Sequence, residues 1–231
     1  MNSAVLLAAG ESRRMGLGVR KPFLELAGRW VLDLSCEAYD RADCINEIVI
    51  VCQEPDLETI ETARKSLSSM KKVSCVTVGG AERIDSVRAG VTKVAQNTEV
   101  IAIHDVARPL VLPLQIEQTV DTAAAHGAAF LAIPVTDTIK TSSDGYYSDS
   151  TLDRSVLWRA QTPQAFRADY LRSHLLRALE EEIQPTDEIA LHERYSENPA
   201  LVRGSEENLK LTTPFDLLVA EAVLAARSKQ A

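Results

Sequence analysis

The chain has 231 residues, 45% hydrophobic and 25% charged, the make-up of an ordinary globular protein long enough to bury a sizeable core. Lys and Arg number 25 against 33 Asp and Glu, a formal net charge of −8, which argues against a general affinity for nucleic acid or for an anionic membrane. No apolar run approaches the roughly 18 residues of a membrane span, and the N-terminal apolar run Ala4 to Ala9 precedes the first basic residue, Arg13, the reverse of a signal peptide. Cys36, Cys44, Cys52 and Cys75 form no CxxC pair and no zinc spacing. The expectation is a cytoplasmic protein with reduced thiols.

In chain order, a strand is predicted at 3–8, apolar almost throughout, as a strand buried on both faces must be. It runs into Ala8-Ala9-Gly10-Glu11-Ser12-Arg13-Arg14-Met15-Gly16, and Lys21-Pro22-Phe23 follows. Small residues let backbone N–H groups approach a phosphate, and Gly10 can take a positive φ. Residues 13 to 21 hold Arg13, Arg14, Arg20 and Lys21 and no acid, a local reversal of sign that points to an anionic ligand of the polyphosphate kind. A basic surface turn is the plainer alternative. The loop fits neither GxGxxG nor GxxxxGK[ST].

Helices are predicted at 31–42 and 56–69, with strands at 46–52 and 73–78. The latter strand ends in Gly79-Gly80, ahead of a helix at 82–95 whose first turn holds Ser86; this is either a site or an ordinary tight turn. The strand at 99–104 ends in His104-Asp105-Val106-Ala107-Arg108-Pro109. A carboxylate and a guanidinium there suit a metal–phosphate complex or a structural ion pair, and His104 reads as a structural histidine. A helix at 114–126 and a strand at 128–135 follow. From Thr136 to Phe166 the helical period is lost, and Asp144-Gly145 signals a hairpin. A loop that long without structure is uncommon in a compact domain, so this segment is expected to be an arm whose partner lies elsewhere, such as on a second subunit. Thr213-Pro214-Phe215-Asp216 opens a final helix at 214–228 with a capping residue, a first-turn proline and a carboxylate three places after the cap. The alternation predicts an α/β fold: one domain, residues 1–231, with a mostly parallel, Rossmann-like doubly wound sheet and a protruding β-arm at about 136–166.

Taken together, AAGESRRMG, KPF, GGAERIDSV, HDVARP, PVTDTIK, TLDRSVLW, AQTPQAF, TDE and NLKLTTPFDL, in this order over residues 8 to 217, resemble the 2-C-methyl-D-erythritol 4-phosphate cytidylyltransferases. AAGxSxRMG with its following lysine marks the nucleotidyltransferase superfamily; HDxARP, RxxLW and TPQxF in this order are more specific. The resemblance implies a nucleotide-diphospho-sugar-transferase type of sheet. It also implies transfer of a cytidylyl group from CTP to methylerythritol phosphate with release of pyrophosphate, assisted by Mg2+. Arg14 and Lys21 match transition-state stabilisers, and Arg154 and Lys210 match residues that orient the attacking phosphate. Ala8, Ala9, Gly10, Glu11, Ser12 and Arg13 match the nucleotide loop, and Gly80 and Ser86 the cytosine region. Asp105, Val106, Arg108, Thr138 and Thr162 match positions around the alcohol substrate. Asp105 is also the position for the metal, which is otherwise held through CTP phosphates. The family's arm swaps across a homodimer, so Arg154 and Thr162 are expected to serve the neighbour's site. Arg20, Ala81 and Val106 depart from the family's usual residues. With the chain ending soon after 217, no fused cyclase domain is expected.

Ribitol 5-phosphate as the alcohol is the nearest rival reading. A nicotinamide-dependent oxidoreductase and a nucleotide-sensing module are more remote.

Overall fold

In the computed structural model, which describes residues 1–10 and 19–229, the predicted strands appear at nearly their expected places. They are β1 (Asn2–Leu7), β2 (Glu47–Cys52), β3 (Val73–Val78), β4 (Val100–Asp105) and β5 (Ala128–Pro134). The predicted helices are α1 (Val31–Arg41), α2 (Leu57–Ser66), α3 (Arg83–Val91) and α4 (Pro113–His126). Three further elements lie beyond those read from sequence in this part of the chain: β6 (Trp158–Arg167), α5 (Ala168–Glu180) and α6 (Glu188–Tyr195). Then come β7 (Ala200–Arg203), also unanticipated, and the expected last helix α7 (Pro214–Ser228). The cap foreseen for α7 forms: the Asp216 carboxylate accepts the Thr213 amide at 2.6 Å.

Among the described residues the strands make one seven-stranded sheet in the order β7-β5-β6-β4-β1-β2-β3. β1 pairs in parallel with β2 and β4, β2 with β3, and β7 with β5. Only β6 runs against its neighbours. Alternation along each strand sorts its apolar side chains between two layers. Ala4, Leu6, Ile48 and Ile50 face Leu32, Ile60, Ile116 and Ala220 of α1, α2, α4 and α7. Val5, Val49, Val51 and Ile103 face Val87, Leu171 and Ile189 of α3, α5 and α6. Helices thus cover both faces, as buried parallel strands require.

The arm is shorter than the sequence predicts. Residues 136–157 leave the sheet, with Lys140–Thr141 paired antiparallel to Ser150–Thr151. The expected Asp144-Gly145 turn closes this hairpin: Gly145 has φ +76°, and Asp144 Oδ1 accepts the amides of Tyr146 at 2.8 Å and Tyr147 at 2.9 Å. Residues 158–166, assigned to the arm from sequence, are instead the interior strand β6. Ala165 and Phe166 are fully buried in the two layers, so this segment finds its partners, β4 and β5, within its own chain.

Candidate active site

A pocket opens beyond the carboxyl ends of β1, β3 and β4, where ligands enter open parallel sheets. Its walls are Ala8, Ala9 and Gly10 after β1, Gly80 to Arg83 and Ser86 after β3, and Asp105 to Ala107 after β4, with Lys21 and Lys210 across the opening. These segments lie far apart in sequence.

Each segment is held in place by identifiable contacts. Ala8 N donates to Val51 O at 2.7 Å and Gln53 Nε2 to Ala9 O at 3.0 Å, which fixes the start of the loop after β1. Gly10 is not in the left-handed region, and a Cβ there meets no atom of the described residues within 4 Å. A Cβ on Gly79 meets Ser86 Oγ at 2.5 Å and Ala9 Cβ at 3.0 Å, and one on Gly80 collides with Asp85 Cβ. The glycine pair therefore lets the β3 loop and the head of α3 close on the β1 loop. Lys21 begins a short 3-10 turn, Lys21–Phe23, with Pro22 fixing its start. Its neighbour Arg20 turns the other way, donating to Gln53 Oε1 at 3.4 Å and pairing with Asp56.

Asp105 is the centre of the charge arrangement. It is 7% exposed, its Oδ1 accepts from Arg83 Nη1, and its Oδ2 accepts from Lys210 Nζ at 2.6 Å. Burial by itself pushes this carboxyl up, but the Arg83 and Lys210 cations outweigh it and hold Asp105 far below the ordinary carboxylate range. Arg83 reaches a second carboxylate, donating from Nη2 to Glu188 Oε2 at 2.9 Å. Burial draws that guanidinium's pKa down, and the two carboxylates more than reverse the effect. Glu188, 1% exposed, is raised by burial against the opposing pull of Arg83.

His104, fully buried, is structural as expected. Its Nε2 lies 3.2 Å from Arg108 O and its Nδ1 2.9 Å from Thr162 Oγ1. A carbonyl can only accept, so Nε2 carries the proton and Nδ1 accepts from the threonine hydroxyl. Burial lowers its pKa to about 3, leaving the ring neutral.

The structure gathers Ala8, Ala9, Gly10, Lys21, Gly80, Ser86, Asp105, Val106 and Lys210 around one pocket. Val106 is only 1% exposed, so most of its bulk packs into the core and not into the opening. Glu11, Ser12, Arg13 and Arg14 lie outside the described residues. Thr162 sits behind the pocket wall: its Oγ1 accepts the Asp105 amide at 3.1 Å, so it serves its own chain, contrary to the expectation that it reaches a neighbour. The antiparallel insertion of β6 beside β4 is what puts it there. Arg108 donates to the carbonyls of Asn208 at 2.7 Å and Ala160 at 3.4 Å, tying β6 to the Lys210 segment without lining the pocket. Thr138 and Arg154 lie in the arm and do not line the pocket of their own chain; Arg154 Nη1 donates to Thr136 O at 2.6 Å.

Arg83 and Glu188 carry no role in the reading from sequence. Both fall within quoted segments, GGAERIDSV and TDE, but nothing local shows that residues 105 positions apart share a salt bridge. The one sequence signal is the acidic pair Asp187-Glu188, since Asp187 caps α6 by accepting from Ala190 N at 3.0 Å.

Comparison with known proteins gives this pocket its context. The sequence matches the 2-C-methyl-D-erythritol 4-phosphate cytidylyltransferase family over residues 3–226. The chain belongs to this family. A family member from Syntrophotalea carbinolica is 43% identical over 94% of this chain and 93% of its own length. Another from Pelotomaculum thermopropionicum is 39% identical over 97% and 94%. Among solved structures, the 4-diphosphocytidyl-2C-methyl-D-erythritol synthase of Anaerococcus prevotii superposes with a TM-score of 0.85 at 28% identity, covering 96% of this chain and 95% of that one. The 2-C-methyl-D-erythritol 4-phosphate cytidylyltransferase of Thermus thermophilus gives 0.77 at 28% identity, over 96% and 98%. The protein is therefore an enzyme of the nucleotidyltransferase class, with the expected mostly parallel α/β fold.

Proposed function

We propose that this enzyme joins CTP and 2-C-methyl-D-erythritol 4-phosphate, giving 4-diphosphocytidyl-2-C-methyl-D-erythritol and pyrophosphate in the non-mevalonate route to isoprenoids. The observation that carries the reading is the pocket at the strand ends, with Lys21 and Lys210 on its wall, in a chain of this family. An oxygen of the alcohol's phosphate attacks the α-phosphorus of CTP. A phosphomonoester has a second pKa near ~6, so the nucleophile is largely dianionic at neutral pH and needs no general base. That agrees with His104, neutral, buried and held at both nitrogens.

The residues' task is to bring two polyanions together and stabilise added charge at phosphorus. The small residues Ala8 to Gly10 and the glycine pair leave space for the nucleotide, with Gly80 and Ser86 beside the base. Lys21, on the pocket wall, is assigned to the α-phosphate, a role that the family resemblance also gives to Arg14. Lys210 orients the attacking phosphate. Asp105 fits a role as ligand of Mg2+, an ion commonly held by one or two carboxylates plus substrate phosphates. It is ionised, it lies on the pocket wall, and each oxygen keeps lone-pair capacity beyond its bond to Arg83 or Lys210. When bound, the ion neutralises charge on the triphosphate.

Arg154 acts from the arm of a second subunit in this reading. Two features support it: Arg154 does not line its own pocket, and the arm and the strand that follows it expose Tyr146, Tyr147, Val156 and Trp158. No helix among the described residues is long and apolar enough to cross a membrane. The unpaired thiols Cys36, Cys44, Cys52 and Cys75 suit a reducing cytoplasm, without a nucleic-acid partner. The test is pyrophosphate release with CTP and Mg2+, comparing methylerythritol phosphate with ribitol 5-phosphate at equal concentration. Faster release with ribitol phosphate overturns the choice of alcohol, and none with either overturns the reaction.

A further inference from the structure

We propose that Arg83 and Glu188 form a positioning pair that sets the place of Lys210 through Asp105. The assignment rests on the cytidylyltransferase reading and adds to it two residues that hold the catalytic lysine.

The geometry is a chain of four charged groups. Glu188, buried in the first turn of α6, accepts from Arg83 Nη2 at 2.9 Å. Arg83, at the start of α3, turns its other terminal nitrogen to Asp105 Oδ1. Asp105 Oδ2 takes the Lys210 ammonium at 2.6 Å. A planar guanidinium can fork between two carboxylates in a way an ammonium cannot. With Oδ1 held by Arg83, the carboxylate plane is fixed and Lys210 meets a single oxygen. Remove Arg83, and Asp105 is free to rotate and offer both oxygens to Lys210, drawing the ammonium away from the alcohol's phosphate. Glu188 stabilises this arrangement from behind by holding the guanidinium. Its anchorage is independent of the pocket, because α6 is capped by Asp187, whose second oxygen takes Gln164 Nε2 of β6 at 2.9 Å.

The test separates positioning from stability. Arg83→Met strands a buried carboxylate and is expected to lower the melting temperature. Adding Glu188→Leu removes that unpaired charge and should raise the melting temperature again. Activity should not return with it: in both variants kcat/KM for methylerythritol phosphate is expected to fall on the order of 10- to 100-fold, as for a misplaced catalytic group. CTP affinity by calorimetry without Mg2+, so that no ion held at Asp105 enters the comparison, should stay within about threefold of wild type, since the change acts on the alcohol's side of the reaction. Arg83→Lys, which cannot fork, should recover only part of the loss. Three results overturn the assignment: activity that recovers along with stability in the double variant, a parallel loss of CTP affinity, or full activity in Arg83→Lys. Wild-type turnover with CTP and methylerythritol phosphate tests the underlying reaction separately, and the variants are judged only as ratios to it.

Discussion

Lys210 Nζ donates to Asp105 Oδ2 at 2.6 Å although 105 residues separate the two in sequence. The contact is held on both sides. Leu211 is fully buried and its amide donates to Ala107 O at 2.8 Å, docking the Lys210 segment against the loop after β4. Lys210 thereby becomes part of the pocket wall. Lys210→Ala is expected to raise KM for the alcohol phosphate and lower turnover while leaving CTP affinity close to normal. Calorimetry with CTP and Mg2+ decides it: a large loss of CTP affinity would place Lys210 in the nucleotide site.

Lys21→Ala and Arg14→Ala should slow turnover far more than they weaken CTP binding. Both belong to the charge-reversed segment after β1 and are assigned to charge that develops at the α-phosphate. Losing one preorganised donor of this kind costs about 10²–10³ in rate. Steady-state kinetics checks it, and unchanged kcat with a raised KM for CTP would mean simple ground-state binding.

The arm prediction concerns two chains. On the proposal that Arg154 serves a second subunit, Lys21→Ala disables the body half of a site and Arg154→Ala the arm half, so each homodimer should be nearly inactive. After subunit exchange about half the dimers are mixed, each with one intact site of two, and about a quarter of wild-type activity should return. Thr162 gives a control that the fold makes necessary. Its hydroxyl contacts Asp105 N and His104 of its own chain, so any defect in Thr162→Val should be complemented by Arg154→Ala but not by Lys21→Ala. No recovery in the Lys21–Arg154 mixture after demonstrated exchange would place Arg154 in its own subunit's site.

Acid should destabilise the fold through its buried histidines His104, His174 and His192, each lowered by burial, with His104 and His174 the two carrying the argument. His104 is lowered by burial to about 3 and His174, between α5 and α6, by burial and the neighbouring His192 to about 4. The unfolded chain protonates both near the ordinary value of 6.5 while the folded chain does not, so the unfolded state binds more protons and stability falls as pH falls. The loss begins below the unfolded pKa of 6.5 and, for His174, levels off near 4. The limiting slope is about 1.4 kcal/mol per pH unit for each histidine. Urea unfolding at several pH values between 7 and 4 measures this. His174→Gln should reduce the slope by about one histidine's share, and an unchanged slope would remove His174 from the account.

The places where sequence and structure part company have physical causes. β6 does not read as a strand because Trp158–Arg167 carries Gln161, Thr162 and Gln164 where a core strand usually carries Val or Ile. All three are nevertheless buried, because each finds a partner outside its own strand. Gln161 Nε2 reaches Ser205 O at 2.8 Å, Thr162 reaches His104, and Gln164 reaches Asp187. Polar groups whose partners lie elsewhere in the chain leave no periodic trace. α5 does leave one, since Leu171, Leu175 and Ala178 mark a buried face at helical spacing.

Sequence by itself determined the five apolar strands, the helices between them, the capped last helix, the Asp-Gly turn and the basic segment after the first strand. Each of these is a local matter of side-chain period, backbone φ or unbalanced charge, written in neighbouring residues. Only the tertiary structure decided that β6 enters the sheet between β4 and β5, that Thr162 stays with its own chain, and that Glu188, Arg83, Asp105 and Lys210 form one connected charge network. Those are long-range pairings. Burying those charged and polar groups costs desolvation that only their mutual pairing offsets, and the pairing depends on which segments the whole fold brings into contact.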